Sequence, residues 1–121
     1  MRLFPMSGKY DYLDSLWRKA VKLKWNYRSV WSGEKVEHVH HMITKGKKNM
    51  RWCVDNGCPL TLVEHKRVHT TPGAAPMLIN KFSKDKYEEL ETLSVQYFDK
   101  NFDRIKNELK EAIKKYEKEQ K

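Results

Sequence analysis

The chain has 121 residues, with 25 Lys and Arg against 16 Asp and Glu, a formal net charge of +9, and 39% hydrophobic and 12% aromatic residues. That length suits one domain with a modest core, and the composition excludes a disordered chain and, with no apolar run near the about eighteen residues needed, a membrane span. Two cysteines, Cys53 and Cys58, exclude a disulfide scaffold and a four-cysteine zinc site. The expectation is a soluble, cytoplasmic protein. The N-terminal text MRLFPMSGKYDYLD holds no apolar stretch of secretory-signal type.

Residues 10–24 place Leu13, Leu16, Trp17, Ala20, Val21 and Leu23 at helical spacing, which predicts a helix with Asp11 or Asp14 at its start. Residues 25–34 read as irregular, with a turn at Ser32-Gly33. Residues 35–43, KVEHVHHMI, read as a strand with Val36, His38, His40 and Met42 on one face. Glu37, Val39, His41 and Ile43 share the other. A basic loop around Gly46 leads to a second predicted strand at 50–54, MRWCV, then a turn at Asp55-Asn56-Gly57 that Pro59 ends. Thr61 to Glu64 has the form of a capping box and opens a short helix, which Thr71-Pro72-Gly73 stops. Residues 70–81 read as a loop, 83–94 as a helix capped by Ser83, and 99–119 as an amphipathic helix.

The charge is local. Residues 18–51 carry ten basic and two acidic side chains, so eight of the nine excess units lie there. A field of that kind suits a polyanion, above all nucleic acid. All five histidines, His38, His40, His41, His65 and His69, fall within one stretch of 32 residues. His65 and His69 sit one helical turn apart, where both imidazoles can reach one ion. His40 and His41 are neighbours on a strand and point to opposite sides. One can bind a metal while the other is held beside it, an arrangement suited to a hydrolytic base near a Lewis acid.

The order strand (His40, His41), turn (Asn56), helix (His65, His69) resembles the HNH, or ββα-metal, endonuclease motif. The spacing is similar to that of colicin DNase domains: two His, fourteen residues, Asn, eight residues, His, three residues, His. The text HHMI, KNMRW, DNG and LTLVEHKRVH resembles HNH endonucleases of bacteriophages, including phage recombination endonucleases. The specific part covers residues 36–70, with a looser likeness in a helical extension over 83–119. The fold implied is a single α+β domain over 1–121, a ββα-metal core wrapped by an N-terminal helix and two C-terminal helices. Carried onto this chain, the resemblance implies that His40, His65 and His69 hold one divalent ion, Mg2+, Mn2+, Ni2+ or Zn2+. It makes His41 the general base and Asn56 the brace of the loop between the strands. The reaction implied is hydrolysis of DNA phosphodiester bonds, leaving 5′-phosphate and 3′-hydroxyl ends, and the resemblance implies a phage-encoded enzyme.

Many phage relatives also carry a structural zinc held by two C-x-x-C pairs. Thr61 and Glu64 stand where the second pair falls, and no cysteine precedes His40, so no structural zinc is expected. Capping and Trp25, Trp31 and Trp52 are then left to hold that region. Lys45, Lys47, Lys48, Arg51 and Arg67 are the candidates for DNA phosphate contact. His38, on the His40 face, either lines the mouth of the site or meets substrate. Cys53 and Cys58 read as buried thiols. RNA is not excluded as substrate, and no membrane partner is implied. The alternative is a non-catalytic, metal-stabilised nucleic-acid-binding protein, with His38 closing the metal site.

Overall fold

A computed structural model describes residues 8–120. Residues 1–7 and 121, part of the expected 1–121 domain, lie outside the described residues. The fold is α+β, with six helices and a two-stranded antiparallel sheet among those residues. Helix α1 is Gly8–Lys24, strand β1 His38–His41, helix α2 the single turn Lys48–Arg51, and strand β2 Gly57–Leu60. Then come α3 (Leu62–Thr70), α4 (Ala74–Phe82), α5 (Lys84–Ser94) and α6 (Phe102–Glu119). No described helix is long and apolar enough to cross a membrane.

Helix α1 follows its predicted period. Leu13, Trp17, Ala20, Val21 and Leu23 are buried, and α6 returns Leu109 and Ile113 onto the same stripe. Each of the leucine, valine and isoleucine side chains contributes about 1.5–3 kcal/mol of burial. At the end of α1, Asn26 and Tyr27 adopt left-handed backbone, and the Tyr27 amide donates to the Lys22 carbonyl. This closes the helix and turns the chain toward the sheet.

The second strand lies elsewhere than expected. Residues 50–54 are not a strand: they run from α2 into a 3-10 turn at Val54–Asn56, and the strand is Gly57–Leu60. Met50 and Trp52 are both buried and serve two different core clusters. Two residues apart on one helical turn, they point in nearly opposite directions, where a strand would put both on one face. Pro59 sits inside β2 opposite Val39 rather than ending a turn. Its carbonyl accepts from Val30 on the side away from β1, so its missing N–H falls on an edge and costs no ladder bond.

The loop expected at 70–81 is also corrected. It contains α4, which starts after Gly73 at φ 84°. Pro76 is the third residue of that helix, within the first turn, where no amide hydrogen bond is lost. Leu78 and Phe82 of α4 join Leu90 of α5, Met50, Cys58 and Leu60 in one core cluster. Ser83 caps α5 and Asn101 caps α6, each accepting a backbone amide.

The sheet thus has two covered faces. Cys58 and Leu60, opposite His40 and His38, face the α4–α5 cluster. On the other face, Val39 packs in the α1–α6 cluster. Gly57, opposite His41, lies where a side chain would run into Val21 of α1.

The stretch before β1 is held by hydrogen bonds and tryptophans. The Ser29 hydroxyl donates to Glu64 at 2.6 Å and accepts the amides of Trp31 and Ser32 at 2.9 and 3.0 Å. Glu64, 7% exposed, also accepts from the Thr61 amide and completes the predicted capping box. Burial opposes ionisation of Glu64, but the Ser29, Ser32 and Thr61 hydrogen bonds prevail and hold its carboxyl below the ordinary value. Trp25 and Trp31 pack on the α4–α5 cluster and Trp52 on the α1–α6 cluster.

Candidate metal centre

Helix α3 packs against both strands and brings His65 and His69 to His40. Each of the three offers a ring nitrogen within 4.8 Å of the others. Ring centroids are 5.0 Å apart for His40–His65, 5.4 Å for His40–His69 and 4.9 Å for His65–His69. Metal–imidazole bonds of about 2.0–2.1 Å bring cis nitrogens to roughly 3–3.5 Å, a difference that modest ring rotations supply. Among the described residues none of the three rings makes a hydrogen bond, so their nitrogens are uncommitted. The group could hold a metal ion.

Electrostatics suit that role. Burial, then the neighbouring His65, His69 and His41, push His40 down to about 4. Burial, then His69 and His38, also lower His65. Neutral imidazole is the form that binds metal. His40 and His65 are half-buried and His69 is exposed, so the group opens to solvent on the His69 side. His38, exposed on the His40 face, stands near enough for its charge to act on His65; it is not one of the three converging residues.

No family model matches the chain, and no curated protein or solved structure matches it. The chemistry of the site therefore rests on its own geometry.

His41 occupies the opposite face. Its ring stacks on Trp17 with centroids 4.0 Å apart and planes 8° from parallel. Its Nε2 lies 3.0 Å from the Arg51 carbonyl oxygen. A carbonyl only accepts, so Nε2 carries the proton and Nδ1 keeps a lone pair. Burial, the leading effect, lowers His41; the Arg51 carbonyl and Asp14 oppose this, while Lys45 and Arg51 add to it. The neutral ring is thereby favoured.

Asn56 is fully buried. Its side-chain oxygen accepts the Ile43 amide at 2.7 Å, and its amide nitrogen donates to the carbonyls of Ile43 at 2.8 Å and Met50 at 3.1 Å. The side chain thus ties the start of the loop after His41, and helix α2 beyond that loop, to the turn before β2.

The basic candidates divide. Lys45 lies in that loop and its charge reaches His41; Lys47 is the N-cap of α2 and Lys48 its first residue. Arg51 is otherwise engaged. Its Nε and Nη2 donate to Asp14 at 3.0 and 2.8 Å, so the guanidinium expected on phosphate is spent inside the molecule. Arg67 lies half a helical turn away from His65 and His69, over the Trp31 ring. Both cysteines are free, Cys58 buried and Cys53 half-buried. Burial and Glu64 raise the Cys58 thiol to about 12.

Asp14 and Trp17 had no place in the site as read from the sequence. They are three apart on α1, the spacing that puts two residues on one helix face. Only knowing which face of α1 meets β1 reveals their role.

Proposed function

We propose that the chain is a metal-dependent endonuclease of the HNH type, its β1–β2–α3 unit acting as a ββα-metal core that hydrolyses DNA phosphodiester bonds. The observation that carries this reading is the convergence of His40, His65 and His69, with the next residue along β1, His41, held at Nε2 and its Nδ1 left basic. His40, His65 and His69 are the residues for one divalent ion, Mg2+, Mn2+, Ni2+ or Zn2+. When bound, the ion would polarise the scissile phosphate and stabilise the departing 3′ oxygen. Nδ1 of His41 takes the proton of the attacking water as its oxygen bonds to phosphorus and the bond to the 3′ oxygen breaks. Asn56 keeps the loop after His41 fixed. Lys45, Lys47 and Lys48 supply positive charge for the backbone on the loop beside His41.

A second reading, a non-catalytic metal-stabilised nucleic-acid-binding protein, is favoured by His38, whose charge acts on His65 from the His40 face. Supercoiled plasmid incubated with the protein and each of the four ions, with and without EDTA, separates the two. Nicking that EDTA and His41→Ala abolish supports the nuclease. Nicking that survives either overturns the mechanism. Metal binding with no cleavage of DNA or RNA favours the second reading.

A further inference from the structure

We propose that helix α1 positions the His41 imidazole, with Asp14 and Trp17 as its two points of purchase, so that a helix outside residues 36–70 sets the geometry of the base. The inference rests on the role assigned to His41 above.

The first connection runs through α2. Asp14 Oδ1 accepts from Arg51 Nε at 3.0 Å and from the Trp52 indole at 2.8 Å, while Oδ2 accepts from Arg51 Nη2 at 2.8 Å. The Asp14 and Arg51 side chains are 16% and 19% exposed, so this fork is not a solvated surface pair. It fixes the residue whose carbonyl receives the His41 Nε2 proton. Helix α2 is a single turn whose N-cap Lys47 makes no side-chain cap bond. One turn has almost no stability of its own, so the place of the Arg51 carbonyl is set by ties from outside.

The second connection is direct. Trp17, 1% exposed, lays its ring on His41 and donates its indole N–H to the Cys53 carbonyl at 2.7 Å. That hydrogen bond fixes the indole plane, and the stack fixes the imidazole plane. One face of the ring and Nε2 are thus both occupied by groups that α1 holds. A base displaced by about 1 Å loses up to roughly a hundredfold in rate, so such bracing has something to act on.

The metal triad lies on the other face of the sheet, which provides an internal control. Asp14→Asn, Asp14→Ala and Trp17→Leu are compared with wild type, and Asp14→Glu serves as the conservative variant. Long-range 15N–1H NMR on the metal-free protein reads the His41 tautomer. Zinc calorimetry reads the triad. Plasmid nicking with Mn2+ reads turnover, and circular dichroism confirms folding at the assay temperature. Wild type is expected to show His41 protonated at Nε2 alone. Asp14→Ala and Trp17→Leu are expected to show mixed tautomers and roughly tenfold or greater loss of kcat, with KM and zinc affinity within about twofold. Asp14→Glu is expected to recover part of the loss. An unchanged tautomer in both Asp14→Ala and Trp17→Leu overturns the proposal, as does zinc affinity that falls in step with kcat. If Asp14→Ala does not fold, Asp14→Asn and Trp17→Leu carry the same comparison. If wild type does not nick DNA, the endonuclease reading fails, and the tautomer still decides whether α1 positions the ring.

Discussion

Replacing Gly57 with alanine tests how closely α1 presses on the sheet. A β-carbon there would overlap Cγ2 of Val21 and lie 2.7 Å from its Cγ1 and 3.0 Å from its Cβ. Val21 is fully buried and β-branched, so its rotamer cannot swing away. Restoring ordinary contact near 3.5–4 Å requires strand and helix to part by about 1.5 Å. Overpacking of that size costs about 2–3 kcal/mol. For a domain of this length, 1 kcal/mol moves the melting temperature by roughly 4 °C, so a fall of about 8–12 °C is expected by calorimetry. The double variant Gly57→Ala/Val21→Ala isolates the cause. Val21→Ala alone destabilises by opening a cavity, yet in the Gly57→Ala background it relieves the overlap. The two changes should therefore couple by at least about 1.5 kcal/mol. Because Gly57 pairs with His41, the proposed endonuclease activity implies that the single variant also nicks DNA more slowly at temperatures where it remains folded. Zinc affinity on the other face should be nearly unchanged. Additivity within about 0.5 kcal/mol would show that α1 and β2 are not in close contact, and the reasoning would fail.

Asn56→Ala leaves the Ile43 amide and the carbonyls of Ile43 and Met50 without their partner; urea denaturation should show a loss of about 2–4 kcal/mol. Zinc at a hundredfold excess over its dissociation constant should stabilise the wild type by about 2.7 kcal/mol. EDTA should reverse that gain and His65→Ala should abolish it, both read as thermal shifts. Burial opposes ionisation of Asp14, but Arg51, Trp52 and Arg18 prevail and hold its carboxyl below the ordinary value of 3.8. Its contribution is therefore complete above that value and lost as pH falls through the lower folded value. Urea midpoints of wild type and Asp14→Asn should differ at neutral pH and converge as the pH falls well below 3.8. A gap that persists in acid would refute the assignment.

The helices that depend on local pattern were legible. The spacing of Leu13, Trp17 and Val21 marked α1, and Thr61 with Glu64 marked the start of α3, because period and capping are local facts. The pairing of His65 with His69 was legible too, from helical spacing, whereas strand alternation admitted either His40 or His41 beside them and only the resemblance pointed to His40. The second strand was not. Met50, Trp52 and Val54 look like strand residues, but tertiary packing sends Met50 and Trp52 into different clusters. Pro59 reads as a breaker until β2 is seen to have an edge on which a missing N–H costs nothing. Arg51 was misjudged for a related reason. A charge beside a basic loop looks available to phosphate, and only the long-range partner Asp14, 37 residues away, shows that it is committed.

On the proposed endonuclease reading, both faces of the two-stranded sheet serve one site. The period of two in β1 sends consecutive imidazoles to different environments. His40 goes to the α3 side, where no described residue hydrogen-bonds its ring and His69 keeps the group open to solvent. His41 goes to the α1 side, where Trp17 and the Arg51 carbonyl fix the ring. A ligand must keep its lone pair free to meet an ion, whereas a base must be held in one tautomer and one plane. Those demands conflict within a single environment. Placing the two rings on adjacent residues meets both within one residue's rise, and Gly57 opposite His41 lets α1 come close enough to do the holding.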